Sequence, residues 1–135
     1  MNLEEARAYF AKDRFATEAA GIEILEVGGG NAVCSMKLRE CHRNATGQVM
    51  GGAIFTLADF TFAVATNSGD CTTVTAVSQI SYLGIARGTT LTGRTRILKD
   101  GKRSCFYEIT VADELGNAVA VISTNGMHLE RKGTV

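Results

Sequence analysis

The stretch GGAIFTLADFTFAVA, residues 51–65, is a long apolar run that holds one charged side chain, Asp59. Its length and composition predict a helix over about 49–67, which the polar and glycine residues at 68–70 would end. Because the run is apolar on nearly every side, we expect the helix to be buried all round. A carboxylate inside such a helix is costly unless it is paired or neutralised, which makes Asp59 a candidate functional group.

Length, charge and composition restrict the class of protein. The 135 residues suit one domain, so 1–135 is expected to form a single unit around one core. Fourteen basic and fourteen acidic residues balance, which argues against nucleic acid as a partner. We expect a cytoplasmic protein that binds no membrane, because polar residues interrupt the apolar run and no signal-peptide pattern is present. The four cysteines show neither a C-x-x-C pair nor the spacing of a metal site.

The N-terminal segment, residues 2–16, is predicted to form an amphipathic helix. Asn2 and Glu5 have the spacing of a capping box. The apolar face of this helix is expected to carry Leu3, Ala6, Phe10 and Phe15.

The remaining segments alternate between period-two patterns and turn signals, which is typical of strands and hairpins. The predicted strands are 22–27, 32–38, 72–83, 89–98, 103–112 and 117–129. The expected fold class is α+β, with a curled antiparallel sheet of about six strands wrapped around one long central helix. One sheet cannot cover a helix that is apolar on so many sides, so a two-fold symmetric homo-oligomer is expected as well.

The helix motif and the element order resemble the hot-dog-fold thioesterases, in the branch of the phenylacetate-pathway and 4-hydroxybenzoyl-CoA enzymes. The family pattern is an Asn, then His-Gly-Gly at the helix start, then an acid eight residues after the first Gly. Asn44, Gly51 and Asp59 stand at the matching places. The resemblance continues through a Tyr-containing strand at 74–83 and a basic turn at 101–103.

This resemblance implies an enzyme that hydrolyses an acyl-CoA, with aryl-acyl groups among the candidates, as a homodimer or homotetramer. It implies no cofactor and no metal, since coenzyme A is part of the substrate. Asp59 would be the nucleophile or the general base, and the N–H of Gly51 would stabilise charge on the thioester oxygen. Asn44 and Thr75 would position the thioester or the attacking water.

The resemblance also assigns substrate-binding residues. Met50 and Gly52, at the helix start, would line the pocket. Arg87, Lys102 and Arg103 would meet the phosphates of coenzyme A, although ordinary solvated charges are the alternative interpretation. Met50 is itself a departure from the pattern, because the family has His there and a thioether cannot donate a hydrogen bond.

Two other functions stay open from the sequence. The replacement of the family His by Met50 is compatible with a protein that binds acyl-CoA without hydrolysing it. A hot-dog dehydratase, acting on a 3-hydroxyacyl thioester, would pair a loop His with a helix acid, and His42 and Asp59 could fill those places. The spacing is longer than that pattern requires, and His42 is expected to be a solvated loop side chain.

Overall fold

The computed structural model describes residues 1–131, which form one antiparallel sheet with helices around it. The helices are α1 (Leu3–Phe10), a π-helix (Phe15–Ala19), a 3-10 turn (Glu40–His42) and α2 (Gly51–Asn67). The strands are β1 (Ile22–Gly28), β2 (Asn31–Lys37), β3 (Cys71–Tyr82), β4 (Thr90–Asp100), β5 (Ser104–Asp113) and β6 (Ala118–Arg131). Their order in the sheet is β1-β2-β4-β5-β6-β3. No helix within residues 1–131 is both long enough and apolar enough to cross a membrane.

The predicted strands and central helix are confirmed, with bounds that differ by one or two residues. Helix α2 begins at Gly51 rather than near residue 49, because Val49 forms a β-bridge with Arg43. Met50 is the N-cap residue and keeps an extended backbone. Ser68 is the C-cap, at the predicted end.

Helix α2 packs so closely on the sheet that two strand positions leave no room for a side chain. A Cβ at Gly93 on β4 would lie 2.8 Å from Oγ1 of Thr61, and one at Gly126 on β6 would lie 2.9 Å from Cζ of Phe62. The ring of Phe62 packs edge-on against Tyr107 of β5, with centroids 5.2 Å apart. The core between α2 and the sheet is therefore densely packed. This packing fixes the position of each residue of α2 relative to the strands.

The prediction that α2 is buried all round is wrong for the single chain. Gly52 and Asp59 are exposed, and Thr56 and Ala63 on the same side are only half-buried. These four residues recur at intervals of four, three and four, so they form one strip along the helix. The strip is open because a single sheet covers only one side of a helix, and hydrophobicity alone does not indicate which side.

Strand β3 forms one edge of the sheet and pairs with β6 on its other side. No charged residue and no proline occurs from Thr72 to Ala86. Val77, in the middle of the strand, is 58% exposed. Edge strands that stay unpaired usually carry charges, prolines or bulges that block another strand, and β3 has only a bulge near each of Thr72 and Thr75.

The N-terminal helix is shorter than predicted. Its capping box is confirmed, since Asn2 and Glu5 make both reciprocal hydrogen bonds. Helix α1 ends at Phe10, and the chain turns before it continues as the π-helix. The prediction that Phe15 joins the apolar face is wrong, because Ala16 takes the buried position after this turn and Phe15 is 72% exposed.

Candidate active site

The N-terminal end of α2 meets the C-terminal end of β3. Oη of Tyr82 donates a hydrogen bond to the carbonyl of Gly51 at 3.0 Å. A Cβ at position 51 would lie 2.8 Å from that oxygen, so residue 51 must be glycine while Tyr82 keeps this place. The two residues border a cleft of about 280 Å³. Its other walls are Gln48, Val49, Ile54, Gly84, Ile85 and Ala86.

The first turn of α2 offers backbone donors to this region. The carbonyl of Met50 accepts hydrogen bonds from the N–H of Ala53 at 3.0 Å and of Ile54 at 3.2 Å. The N–H groups of Gly51 and Gly52 come earlier in the helix, where no intrahelical acceptor exists. The side chain of Met50 makes no capping hydrogen bond with them. Together with the helix dipole, these donors can stabilise negative charge on a carbonyl oxygen.

His42 is a structural residue, and the prediction of a solvated side chain is wrong. It is only 4% exposed. Its Nδ1 accepts a hydrogen bond from the backbone N–H of Arg39 at 2.9 Å, and Nε2 lies 2.7 Å from the carbonyl of Ala20. A carbonyl can only accept, so Nε2 carries the proton. Since both ring nitrogens bind backbone groups, His42 is not available as a general base.

Met50 lies next to His42 at the start of α2, and it is 56% exposed. Its backbone N–H donates to the carbonyl of His42 at 2.8 Å. Its thioether can contribute only apolar contact to a bound molecule.

Asn44 organises the loop that precedes α2. Its Oδ1 accepts hydrogen bonds from the N–H of Thr46 at 3.0 Å, the hydroxyl of Thr46 at 2.8 Å and the N–H of Gln48 at 3.1 Å. These contacts are the turn chemistry expected of Asn in a loop. The side chain is exposed, and its Nδ2 has no acceptor among the described residues, so Nδ2 remains a possible donor to a ligand.

Asp59 combines exposure to solvent with an altered acidity. Neighbouring residues keep water from part of its carboxyl group, and this desolvation raises the pKa of that group. The negative charge of Asp13 raises the pKa of Asp59 further. A carboxylate with a raised pKa is a stronger base, as general-base catalysis requires.

One chain does not bring Gly51 and Asp59 to the same point. Eight residues of α-helix separate them, which is about 12 Å along the axis. The N–H groups of the first turn point away from the helix body, so a carbonyl bound there lies still further from Asp59. Attack on that carbonyl requires reacting atoms within about 3 Å. The two groups therefore cannot act on one thioester within a single chain.

Thr75 is likewise distant from Gly51. It lies on β3 seven residues before Tyr82, which corresponds to about 23 Å of extended strand. Its side chain is exposed, beside the bulge in the pairing of β3 with β6.

The three predicted phosphate-binding residues lie at two ends of the molecule. Arg87 is exposed and follows the loop that lines the Gly51 cleft. Lys102 and Arg103 belong to the turn between β4 and β5 and are also exposed. Lys102 lines a larger cleft of about 690 Å³ beside the C-terminal end of α2, near Thr66. Among residues 1–131 no cluster of three or more His, Cys, Asp or Glu is arranged to hold a metal ion.

Two acids fix the loop that leads from β3 to β4. The side chain of Asn117 and the backbone N–H of Arg87 both donate to Asp113 at 2.9 Å, and they hold its pKa well below the usual range. The backbone N–H of Thr89 donates to Glu114 at 2.8 Å, which with neighbouring bonds lowers the pKa of Glu114 to about 2. These contacts position the wall of the Gly51 cleft.

Sequence reasoning missed Tyr82 as a site residue. It noted the Tyr-containing strand, but the contact with Gly51 depends on how β3 and α2 meet. Asp13 was missed for the same reason, because nothing in its local sequence places it near Asp59.

Comparison with known proteins shows which family and which fold this chain resembles. Residues 46–120 match the family model of the thioesterase superfamily. Acyl-coenzyme A thioesterase PaaI of Escherichia coli K12 is 32% identical over 120 residues, which are 87% of this chain and 84% of that protein. The solved structure of the E. coli PaaI protein from the phenylacetic acid degradation operon has a TM-score of 0.85 and 25% identity. That alignment covers 97% of this chain and 98% of the E. coli chain.

A hypothetical thioesterase from Streptococcus pneumoniae TIGR4, solved with coenzyme A, has a TM-score of 0.83 and 22% identity over 92% of this chain and 99% of its own. At that identity it supports the fold alone. The predicted hot-dog fold and the predicted enzyme class, a thioesterase, are confirmed by these relatives. The chain belongs to the thioesterase superfamily.

Proposed function

We propose that this protein hydrolyses an acyl-CoA thioester to the free acid and coenzyme A. The observation that carries the proposal is the start of α2, where the N–H groups of Gly51 and Gly52 are free to bind an oxyanion beside a cleft. The raised pKa of Asp59 supplies the base that the same chemistry needs. The name of the relative in E. coli, an acyl-coenzyme A thioesterase, supports the substrate class.

The reaction has two possible routes through Asp59. As a general base, Asp59 takes a proton from water while the water oxygen attacks the carbonyl carbon. As a nucleophile, its carboxylate attacks the carbonyl carbon, loss of the thiolate leaves a mixed anhydride, and water then hydrolyses that anhydride. On either route negative charge develops on the thioester oxygen, where the Gly51 N–H stabilises it. The carbon–sulfur bond then breaks, and the thiolate leaves and takes up a proton. Asn44 and Thr75 are the side chains proposed to orient the thioester or the water.

The working unit in this proposal is a homodimer, or a tetramer built from two such dimers. Since Gly51 and Asp59 of one chain lie too far apart, each thioester would take its oxyanion donor from one subunit and its acid from the other. The uncharged edge of β3 is where two copies would pair. Antiparallel two-fold pairing places the Tyr82 end of one β3 beside the Cys71 end of the other. It thus carries Gly51 of one chain towards the Lys102 turn of its partner.

This arrangement gives the cations a role in binding coenzyme A. Arg87 of one subunit, with Lys102 and Arg103 of the other, would flank the same cleft. Lys and Arg suit phosphate, so these side chains would hold the nucleotide end of the substrate at the rim. Phenylacetyl, hydroxybenzoyl and straight-chain acyl groups are all candidates for the other end.

A second candidate is a protein that binds acyl-CoA without hydrolysing it, and Met50 favours it. This exposed thioether stands where the resemblance expects an imidazole. The backbone donors do not depend on the side chain at position 50, which is why hydrolysis is preferred here. The third candidate, a dehydratase, would need His42 as its general base. It is not favoured, because His42 is buried and both of its ring nitrogens are hydrogen-bonded.

The test is release of free thiol from a panel of phenylacetyl-, hydroxybenzoyl- and straight-chain acyl-CoAs. Asp59→Asn should lower kcat by about 10²–10⁴-fold, the usual value of general-base catalysis, while KM changes much less. Its melting temperature should hold or rise, since an amide is cheaper to desolvate than a carboxylate. Glu23→Gln, on an exposed residue of β1, removes the same charge away from the site and serves as control.

The outcomes separate the candidate functions. Tight binding without thiol release identifies a binding protein. Loss of the hydroxyl group from a 3-hydroxyacyl-CoA without thiol release identifies a dehydratase. Normal turnover by Asp59→Asn would remove Asp59 from the mechanism.

A further inference from the structure

The turn that follows α1 is fixed against α2 next to the proposed catalytic acid. The ring of Phe10 packs edge-on against Phe60, with centroids 6.1 Å apart, and Phe60 follows Asp59 in α2. The N–H of Asp13 donates to the carbonyl of Phe10 at 3.0 Å. The carbonyl of Asp13 accepts from the N–H of Thr17 at 2.9 Å. Backbone hydrogen bonds on both sides thus hold Asp13 in place relative to Phe60 and its neighbour Asp59.

The carboxylate of Asp13 makes no contact within residues 1–131 that would stabilise the fold. Among the described residues it makes no hydrogen bond and no ion pair, and its side chain is exposed. Desolvation and, after it, the negative charge of Asp13 raise the pKa of the Asp59 carboxyl group, so the two acids lie within electrostatic range of each other. A negative charge that is felt at Asp59 is also felt by any group that a substrate places beside Asp59.

We propose that Asp13 is a specificity-determining residue, which disfavours acyl groups that end in a carboxylate and favours neutral ones. The inference rests on the proposed function, because hydrolysis must bring the acyl carbonyl to Asp59 and therefore the acyl chain close to it. A terminal carboxylate would then meet two acids, Asp13 and Asp59, and like charges in a partly desolvated space repel each other. A neutral acyl chain of the same length meets no such barrier.

Two matched substrate pairs test the proposal. Hexanoyl-CoA and adipoyl-CoA share a six-carbon acyl chain and differ in the terminal carboxylate. Phenylacetyl-CoA and 4-carboxyphenylacetyl-CoA form the corresponding aryl pair. The measurement is the ratio of kcat/KM for the charged substrate to that for the neutral substrate, in the wild type and in Asp13→Asn.

Asp13→Asn should raise this ratio by about fivefold or more, because one of two repelling charges is removed. Asp13→Lys should raise it further, since the charge is reversed. The gain should shrink as salt is added, because ions screen exposed charges. Glu26→Gln removes a charge from an exposed residue further along β1, away from the Asp13 turn, and should leave the ratio as it is in the wild type. Melting temperatures check that each variant is folded.

The results distinguish failure of this inference from failure of the proposed function. If the wild type releases thiol from a neutral substrate, and both Asp13 variants keep the wild-type ratio within twofold, the inference is overturned and hydrolysis stands. If the wild type releases thiol from no acyl-CoA of the panel, neutral or charged, the proposed function falls and the inference falls with it.

Discussion

Two backbone N–H groups and one carboxylate carry the proposed chemistry. The donors at Gly51 and Gly52 belong to the backbone, so they depend on the position of the helix start and on the absence of a Cβ at residue 51. Tyr82 secures that position through its hydrogen bond to the Gly51 carbonyl. Met50 contributes no donor, although it occupies the place of an imidazole in the resemblance.

Met50→His tests whether an imidazole at this position matters. If the pocket wall needs only shape and apolar contact, kcat should change by less than about tenfold, a barrier change near 1.4 kcal/mol. Met50→Leu keeps the apolar character without the sulfur and should behave as the wild type does. Thiol-release kinetics on the preferred substrate give both values. A gain far above tenfold would show that the native chain is a weakened hydrolase or a binding protein.

The way in which α2 packs on the sheet determines where the site residues lie. Gly126 lies under the helix, and a Cβ there would come within 2.9 Å of Phe62 Cζ, 2.9 Å of Thr73 Cγ2 and 3.0 Å of Cys105 Sγ. These neighbours are packed from three directions, so none can move away freely. The sequence pattern shows no reason for a glycine in the middle of a strand, but the helix contact does.

Gly126→Ala should therefore destabilise the fold, by about 1–3 kcal/mol, as overpacking of a dense core usually does. Gly69→Ala is the matched control, because a Cβ at that exposed position meets nothing within 4 Å. Urea unfolding of both variants measures the difference. Equal stability of the two variants would mean that α2 shifts easily on the sheet.

The loop beside the Gly51 cleft should make the stability of the fold depend on pH. The folded-state pKa of Glu114 is about 2, against an ordinary value of 4.5. Its contribution is therefore complete above about pH 4.5 and is lost as the pH falls towards 2. The free energy of unfolding of the wild type should decline over that window. Glu114→Gln should be less stable at pH 7 and show a shallower decline, whereas Glu23→Gln should keep the wild-type slope.

Local patterns in the sequence were enough to predict the elements, and long-range contacts were not. The period-two alternation of residue types in β5 and the apolar run of α2 each extend over a whole element, so the sequence predicts both to within two residues. The burial of His42 depends on the carbonyl of Ala20, 22 residues earlier in the chain. The pKa of Asp59 is raised by desolvation in the folded chain and then by Asp13, which is also far away in the sequence. Contacts of this type arise only when the segments pack together.

Two features of the folded chain point outwards to a second copy. The strip of α2 that carries Asp59 is not covered by the sheet, and the edge of β3 carries no charge that would block pairing. A single chain leaves both of these surfaces uncovered. The separation of Gly51 from Asp59 along α2 gives a functional reason for the same arrangement, since a complete site needs both groups.

Mixing two variants tests this shared site directly. Asp59→Asn removes the acid, and Gly51→Val places a side chain where Tyr82 and the substrate carbonyl must lie, so each variant alone should be inactive. Random re-association makes half of the dimers mixed, and each mixed dimer has one of two sites intact. The mixture should thus recover about a quarter of wild-type activity. Light scattering checks that both variants remain dimers. If both groups acted within one chain, no mixed dimer would hold an intact site and the mixture would stay inactive.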